Sequence, residues 1–129
     1  MRLLLDSHLL LWFVAASRQV PPKLLTHISN PNNAVFYSTV SLAEFALKRR
    51  AGRRSEPEIS SGQIYELAKA AGLEVLQLTP EHAAAAEGLA VFHGDPFDRL
   101  LLAQAQAEGL QLVTHDERLA QYDSRTILF

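Results

Sequence analysis

MRLLLDSHLLLW, residues 1–12, carries the reading from which the fold follows. Leu3-Leu4-Leu5 is a short continuous apolar run. It does not alternate with polar residues, as a strand with one wet face would, so it reads as a central parallel strand buried on both faces. Asp6 ends the run, and Ser7 is placed to cap a helix from His8 to about Ala15. A buried strand passing directly into a helix is the opening of an α/β chain.

Downstream the alternation continues. A second helix is expected over residues 22–29, with Pro22 suited to its first turn. Asn30-Pro31-Asn32-Asn33 reads as a loop, and Ala34 to Ser38, rich in β-branched and aromatic residues, as the second strand. Val40 to Arg50 is expected to be helical. Gly52 to Gly62 reads as a mobile connection, and Gln63 to Ala71 as a helix ended by Gly72. Glu74 to Leu78 is a third strand, Pro80 to Leu89 an alanine-rich helix, and Phe97 to Glu108 a helix stopped by Gly109. Leu110 to Thr114 is a fourth strand, a short helix follows Asp116, and Arg125 to Leu128 reads as an edge strand. The fold class is therefore α/β: one α/β/α sandwich over residues 1–129 with a mainly parallel sheet. In such a sheet the strand C-termini and helix N-termini share one edge, where ligands bind.

Bulk properties narrow the function. At 129 residues the chain suits one core, and 48% apolar content is enough to fill it. The formal charge of −2 excludes a protein that grips nucleic acid by net charge alone; a local basic patch or bound cations would have to supply the attraction. The absence of cysteine excludes disulfides, thiolate metal sites and cysteine nucleophiles, and is compatible with a reducing cytosol. The apolar N-terminus imitates a secretory signal, but Asp6 and His8 interrupt it. No stretch approaches the roughly 20 apolar residues of a membrane span. Phosphate-cradling glycine loops are missing, as is a G-x-S-x-G nucleophile elbow. Asp6 has no second aspartate two residues on, as an aspartyl-phosphate hydrolase would, and no acidic pair ends the first strand as in a phosphorylation switch.

Four acids remain. Asp6 ends strand one. Glu44 and Asp98 are placed in the first turns of their helices, and Asp116 lies two residues past strand four. Each has a capping explanation: Ser41-Leu42-Ala43-Glu44 has the form of a capping box, Asp98 is a dipole-favoured first-turn acid behind the cap Asp95, and Asp116 can cap the next helix. Asp6 can simply start a turn. Together they fall on the one edge where ligands bind. There they would repel one another unless a divalent cation joined them. Magnesium, which takes oxygen ligands and keeps several waters, suits separated carboxylates and activates water for attack on a phosphodiester.

MRLLLDSHLLLW, YSTVSLAEFALKRRAGR (37–53), HGDPFDRLLLAQA (93–105) and LVTHDERL (112–119) resemble, in order, the four motifs of PIN domains, and most closely those of VapC-type toxins of bacterial and archaeal toxin–antitoxin pairs. The resemblance runs from the first residues to near Leu119; residues 51–74 match only loosely. It implies a metal-dependent endoribonuclease, usually homodimeric and cytoplasmic, held inactive by a small cognate antitoxin. It further implies Mg²⁺ or Mn²⁺ as cofactor, Asp6, Glu44, Asp98 and Asp116 as the catalytic and metal-site acids, and Thr114 as a supporting hydroxyl. The rivals are a structure-specific DNA or flap nuclease with the same site, and a catalytically silent nucleic-acid- or protein-binding module.

Lys48, Arg49, Arg50, Arg53 and Arg54 form a basic run at and beyond a helix end, read either as a clamp on RNA phosphates or as a solvated terminus. His8, His93 and His115 lie beside proposed site residues. Arg99 is open to pairing within the acidic edge or to neutralising phosphate. Trp12 and Phe13 read as core or dimer surface and not as a base-stacking platform.

Overall fold

A computed structural model describes residues 1–52, 58–90 and 94–129. Its elements are β1 (Arg2–Leu5), α1 (Ser7–Val14), α2 (Pro22–Ser29), β2 (Ala34–Ser38), α3 (Thr39–Arg50), α4 (Ser61–Ala70), β3 (Glu74–Leu76), α5 (Pro80–Glu87), α6 (Pro96–Glu108), β4 (Gln111–Thr114), α7 (Glu117–Ala120) and β5 (Ile127–Leu128). The strands form one sheet in the order β3-β2-β1-β4-β5, parallel at every pairing. Helices cover both faces, which makes the expected α/β/α sandwich.

β1 is central because its three leucines feed two cores at once. Leu3 and Leu5 pack into one cluster with Leu9, Leu24 and Ile64 from α1, α2 and α4. Leu4 faces the other way, toward Leu101, Leu102 and Ala105 of α6. All three are fully buried, and each contributes about 1.5–3 kcal/mol of transfer free energy. The register aligns Leu4 with Phe36 on one side and Leu112 on the other. Gly109 closes α6 in the left-handed region at φ +66° and turns the chain into β4.

Several expected boundaries move. Asp6, not Ser7, caps α1, because its backbone N–H still donates to Val113 O (2.9 Å) and holds it extended while its side chain accepts from Leu9 N. Ser38 caps α3, so the helix starts at Thr39 and Glu44 lies in its second turn rather than its first. Ser60 and Gln63 form a capping box that starts α4 at Ser61, inside the expected connection; residues 53–57 of that connection lie outside the described residues. β3, α5 and β5 are shorter than expected. Among the described residues, no helix is long and apolar enough to cross a membrane.

Successive strands run outward from β1 through β2 to β3, and the chain then returns to β4 on β1's other side. The order of connection reverses between β1 and β4. A crevice opens at such a reversal beyond the strand C-termini. Asp6 follows β1 and Asp116 follows β4, one on each side of it.

Candidate active site

Asp6 is buried and both its carboxylate oxygens are engaged. Oδ1 accepts from Leu9 N (2.9 Å), and Oδ2 accepts the hydroxyl proton of Thr114. Thr114 Oγ1 in turn accepts from Asp116 N (3.0 Å). One hydroxyl at the end of β4 thus ties the acid after β1 to the acid after β4. Asp116 caps α7 through Arg118 N (2.8 Å), and the Arg118 guanidinium stands 3.7 Å away on the exposed side. Burial pushes the Asp6 carboxyl above the usual range, opposed by its bonds to Thr114 and Leu9 N and by nearby His8.

Glu44 comes from α3 and is only 3% exposed. Ser7 Oγ bonds both Glu44 Oε1 (2.7 Å) and Ser41 Oγ (2.8 Å). A hydroxyl has one proton and a carboxylate only accepts, so Ser7 donates to Glu44 and receives from Ser41. The other oxygen, Oε2, pairs with Lys48 Nζ one turn along α3. Neither hydroxyl serves the helix cap that the sequence offered it.

Asp98 occupies the third position of α6, where Asp95 caps Phe97 N (2.9 Å) and Asp98 N (3.3 Å) through Oδ1. Its carboxyl is pushed up to about 7, first by burial and then by the negative charges of Asp95, Glu44, Asp6 and Asp116. The three other candidate acids therefore lie close enough to act on Asp98, and the four share one field. The N-termini of α1, α6 and α7 open on the same edge and offset part of the repulsion.

Among the described residues, no three His, Cys, Asp or Glu side chains form a ready-made inner sphere for a metal ion. What the donors fit is a hard cation that keeps most of its waters: they are all carboxylate oxygens, and at Asp98 burial and then the neighbouring negative charges raise proton affinity, which a cation would relieve. Asp6, Asp98 and Asp116, with Glu44 completing the set, are the residues that would hold such an ion.

The basic run divides. Lys48 is turned inward onto Glu44, Arg49 and Arg50 are exposed, and Arg53 and Arg54 lie outside the described residues. Arg99 takes a structural part: its guanidinium donates to the carbonyls of Ala86 (2.9 Å), Ala90 (3.0 Å) and Leu89 (2.7 Å), closing the end of α5. His93 also lies outside the described residues. His8 and His115 are exposed beside the acids. Trp12 packs on the core as expected, but it also lines a cavity with Asp6, His8, His115 and Asp116. The sequence reading missed Ser7, Ser41 and the inward turn of Lys48. The only signal for that turn was the four-residue spacing of Glu44 and Lys48.

A sequence profile described as the PIN domain matches residues 3–124. No curated protein matches the chain by sequence. Among solved structures, VapBC2 from Rickettsia felis bound to a DNA fragment from their promoter is similar, at 18% identity and a TM-score of 0.65, over 100% of this chain and 98% of that one. A toxin–antitoxin complex from Klebsiella pneumoniae matches at 17% identity and TM-score 0.64, over 96% and 94% of the two chains. DNA-bound VapBC from Salmonella typhimurium matches at 16% identity and TM-score 0.65, over 100% and 97%. At these identities the likeness is one of fold.

Proposed function

Because this chain belongs to the PIN-domain family, we propose that residues 1–129 form one metal-dependent endoribonuclease domain, the toxin of a VapBC-type toxin–antitoxin pair acting in the cytoplasm. Asp6, Glu44, Asp98 and Asp116 form its site, with Mg²⁺ or Mn²⁺ as cofactor. The observation that carries the reading is the gathering of the acids at the strand C-terminal edge, where Thr114 ties Asp6 to Asp116 across the crevice and Asp98 lies within the field of the other three. Capping accounts for Asp6 and Asp116 taken singly and a helix dipole for Asp98, but neither accounts for the buried Glu44 in the second turn of α3, nor for four segments bringing acids to one edge of the sheet.

Bound there, the cation supplies an acidified water and neutralises charge on the phosphate. The chain's own residues do the rest. Thr114 and Leu9 N–H fix the Asp6 carboxylate in one orientation. Ser7 and Lys48 hold the buried Glu44, which completes the acidic set or orients the attacking water. Arg49 and Arg50, exposed at the end of α3, contact RNA phosphates, and Arg53 and Arg54 extend that contact. The structural relatives are toxin–antitoxin complexes; this likeness supports a small antitoxin partner and, with the family resemblance, a homodimer.

The test is cleavage of single-stranded RNA and of matched DNA with Mn²⁺ or Mg²⁺ and with excess chelator. The proposal expects RNA cut internally, 5′-phosphate and 3′-hydroxyl ends, and no cleavage in chelator. Full activity in chelator, or cyclic phosphate ends, would overturn the metal-activated water. Cleavage of DNA alone would make this a DNA nuclease, and no cleavage of either a binding module. Expression without a partner should arrest growth, and Asp6→Asn should relieve the arrest.

A further inference from the structure

Beside the four acids lies a cavity of about 230 Å³, lined by Asp6, His8, Trp12, His115 and Asp116. Two of these five are site acids, so the cavity opens directly onto the candidate metal site. The other three are rings. Trp12 meets His115 edge-on, with ring centres 5.4 Å apart and planes at 72°. It is tilted at 44° to His8 at 6.0 Å. Trp12 is seated on the core below it, and its carbonyl accepts from Ser17 N (2.9 Å). His115 is tethered: its Nδ1 lies 2.8 Å from Phe129 O. The Phe129 oxygen only accepts, so Nδ1 carries a proton and the ring is held in one orientation.

We infer that this cavity is a base pocket, holding one unpaired nucleobase of the RNA next to the scissile phosphate; the inference rests on the nuclease reading. Size, charge and chemistry converge on it. The volume falls below the roughly 300–1,000 Å³ of pockets for drug-sized ligands, which leaves room for one ring system. The scissile phosphate belongs at the cation that Asp6 and Asp116 would hold, and the cavity's remaining lining, His8, Trp12 and His115, presents rings suited to a neutral base. Aromatic and imidazole faces are what unstacked RNA bases are read by, and the target must be single-stranded because a paired base keeps its faces in the helix. Trp12 is then a binding residue for the base beside the bond that is cut.

Trp12 is the chain's single tryptophan, so its fluorescence reports the pocket whether or not the protein cleaves. A short single-stranded RNA should quench it, and the same RNA made abasic should not. Equal quenching by both, or by neither, would overturn the pocket. Cleavage gives the second readout. Trp12→Ala should raise KM about tenfold or more, the fold-change that one base–aromatic stack carries, with a smaller effect on kcat. It should also flatten the base preference beside the cut while leaving the Mn²⁺-induced rise in Tm in place. Trp12→Phe should restore most of the KM. Should Trp12→Ala not fold, His115→Ala with the same RNA set decides, and an unchanged base preference there overturns the inference. A chain that cuts RNA without base-dependent quenching refutes the pocket alone, and one that quenches without cutting refutes the nuclease alone.

Discussion

The hydroxyl of Thr114 donates to the Asp6 carboxylate across 108 residues of sequence and accepts the backbone N–H of Asp116. One side chain thereby sets the geometry between the strand-end acids that flank the crevice. Thr114→Val keeps the shape and removes both bonds. A hydrogen bond to a charged group contributes roughly 1.5–3 kcal/mol, so the variant should lose about that much stability in urea melts. Its Mn²⁺ affinity should fall as well, and Thr114→Ser should restore both. A Val variant with unaltered Mn²⁺ affinity would confine Thr114 to a structural part.

Asp98 gives the metal-free protein a pH dependence of definite sign. Its folded carboxyl titrates near 7 against an ordinary value of 3.8. The folded state therefore binds more protons than the unfolded chain between those values, and stability falls as pH rises from about 4 to about 7. Asp98→Asn should flatten this slope, match wild type near pH 4, and be at least as stable at pH 8. Mn²⁺ added to wild type near pH 6 should release protons and raise Tm, with little of either in the variant. If Asp98 is only a first-turn acid, the variant should instead lose roughly 0.3–1 kcal/mol in chelator, with neither protein responding to Mn²⁺.

Much of this was legible in the sequence because β1 leaves little choice. Leu3-Leu4-Leu5 has no polar face, so it must be central, and the acid after it must sit at the edge where ligands bind. Helix starts were harder. Asp6 and Ser7 both cap well, as do Ser38 and Ser41, and periodicity does not choose between neighbours. The ladder chooses: Asp6 N still pairs with Val113 O, which leaves Ser7 free to hold Glu44. The Trp12 cavity was illegible for another reason. Helical spacing reads Trp12 as core, which it partly is, but its neighbour His115 arrives from the far end of the chain.

Arg49 and Arg50 allow a test that separates phosphate contact from base reading. Each phosphate neutralised on a single strand contributes about 0.7 to the slope of log affinity against log salt. Replacing both by alanine should lower the slope by about that amount per contact made and weaken all RNA sequences alike. Binding measured between low and moderate salt, on an inactive Asp6→Asn background, reads this directly. An unchanged slope would leave α3's end as a solvated terminus.

Lys48 and Glu44 pose the sharpest question, because the same pair reads as a structural bridge or as a cation site with a stand-in. Glu44 is 3% exposed while the Lys48 side chain is 33% exposed. Lys48→Met keeps the stem and removes the ammonium, leaving the carboxylate to Ser7 alone. The cost in chelator should fall between the ~0–1 kcal/mol of a surface pair and the ~3–5 kcal/mol of a broken buried one. Glu44→Gln in the same chain should recover part of it, since a buried charge no longer lacks its partner, and a double-mutant cycle measures the coupling. The two readings part when Mn²⁺ is added. A structural bridge gains nothing from the ion. If Glu44 belongs to the metal set, Lys48→Met frees an oxygen for the cation and removes a repelling charge beside it. Mn²⁺ should then raise the Tm of Lys48→Met by more than it raises that of wild type, and this excess should vanish in the double variant. Equal Mn²⁺ shifts in all three proteins would place Glu44 outside the cation's reach and leave Asp6, Asp98 and Asp116 as the set.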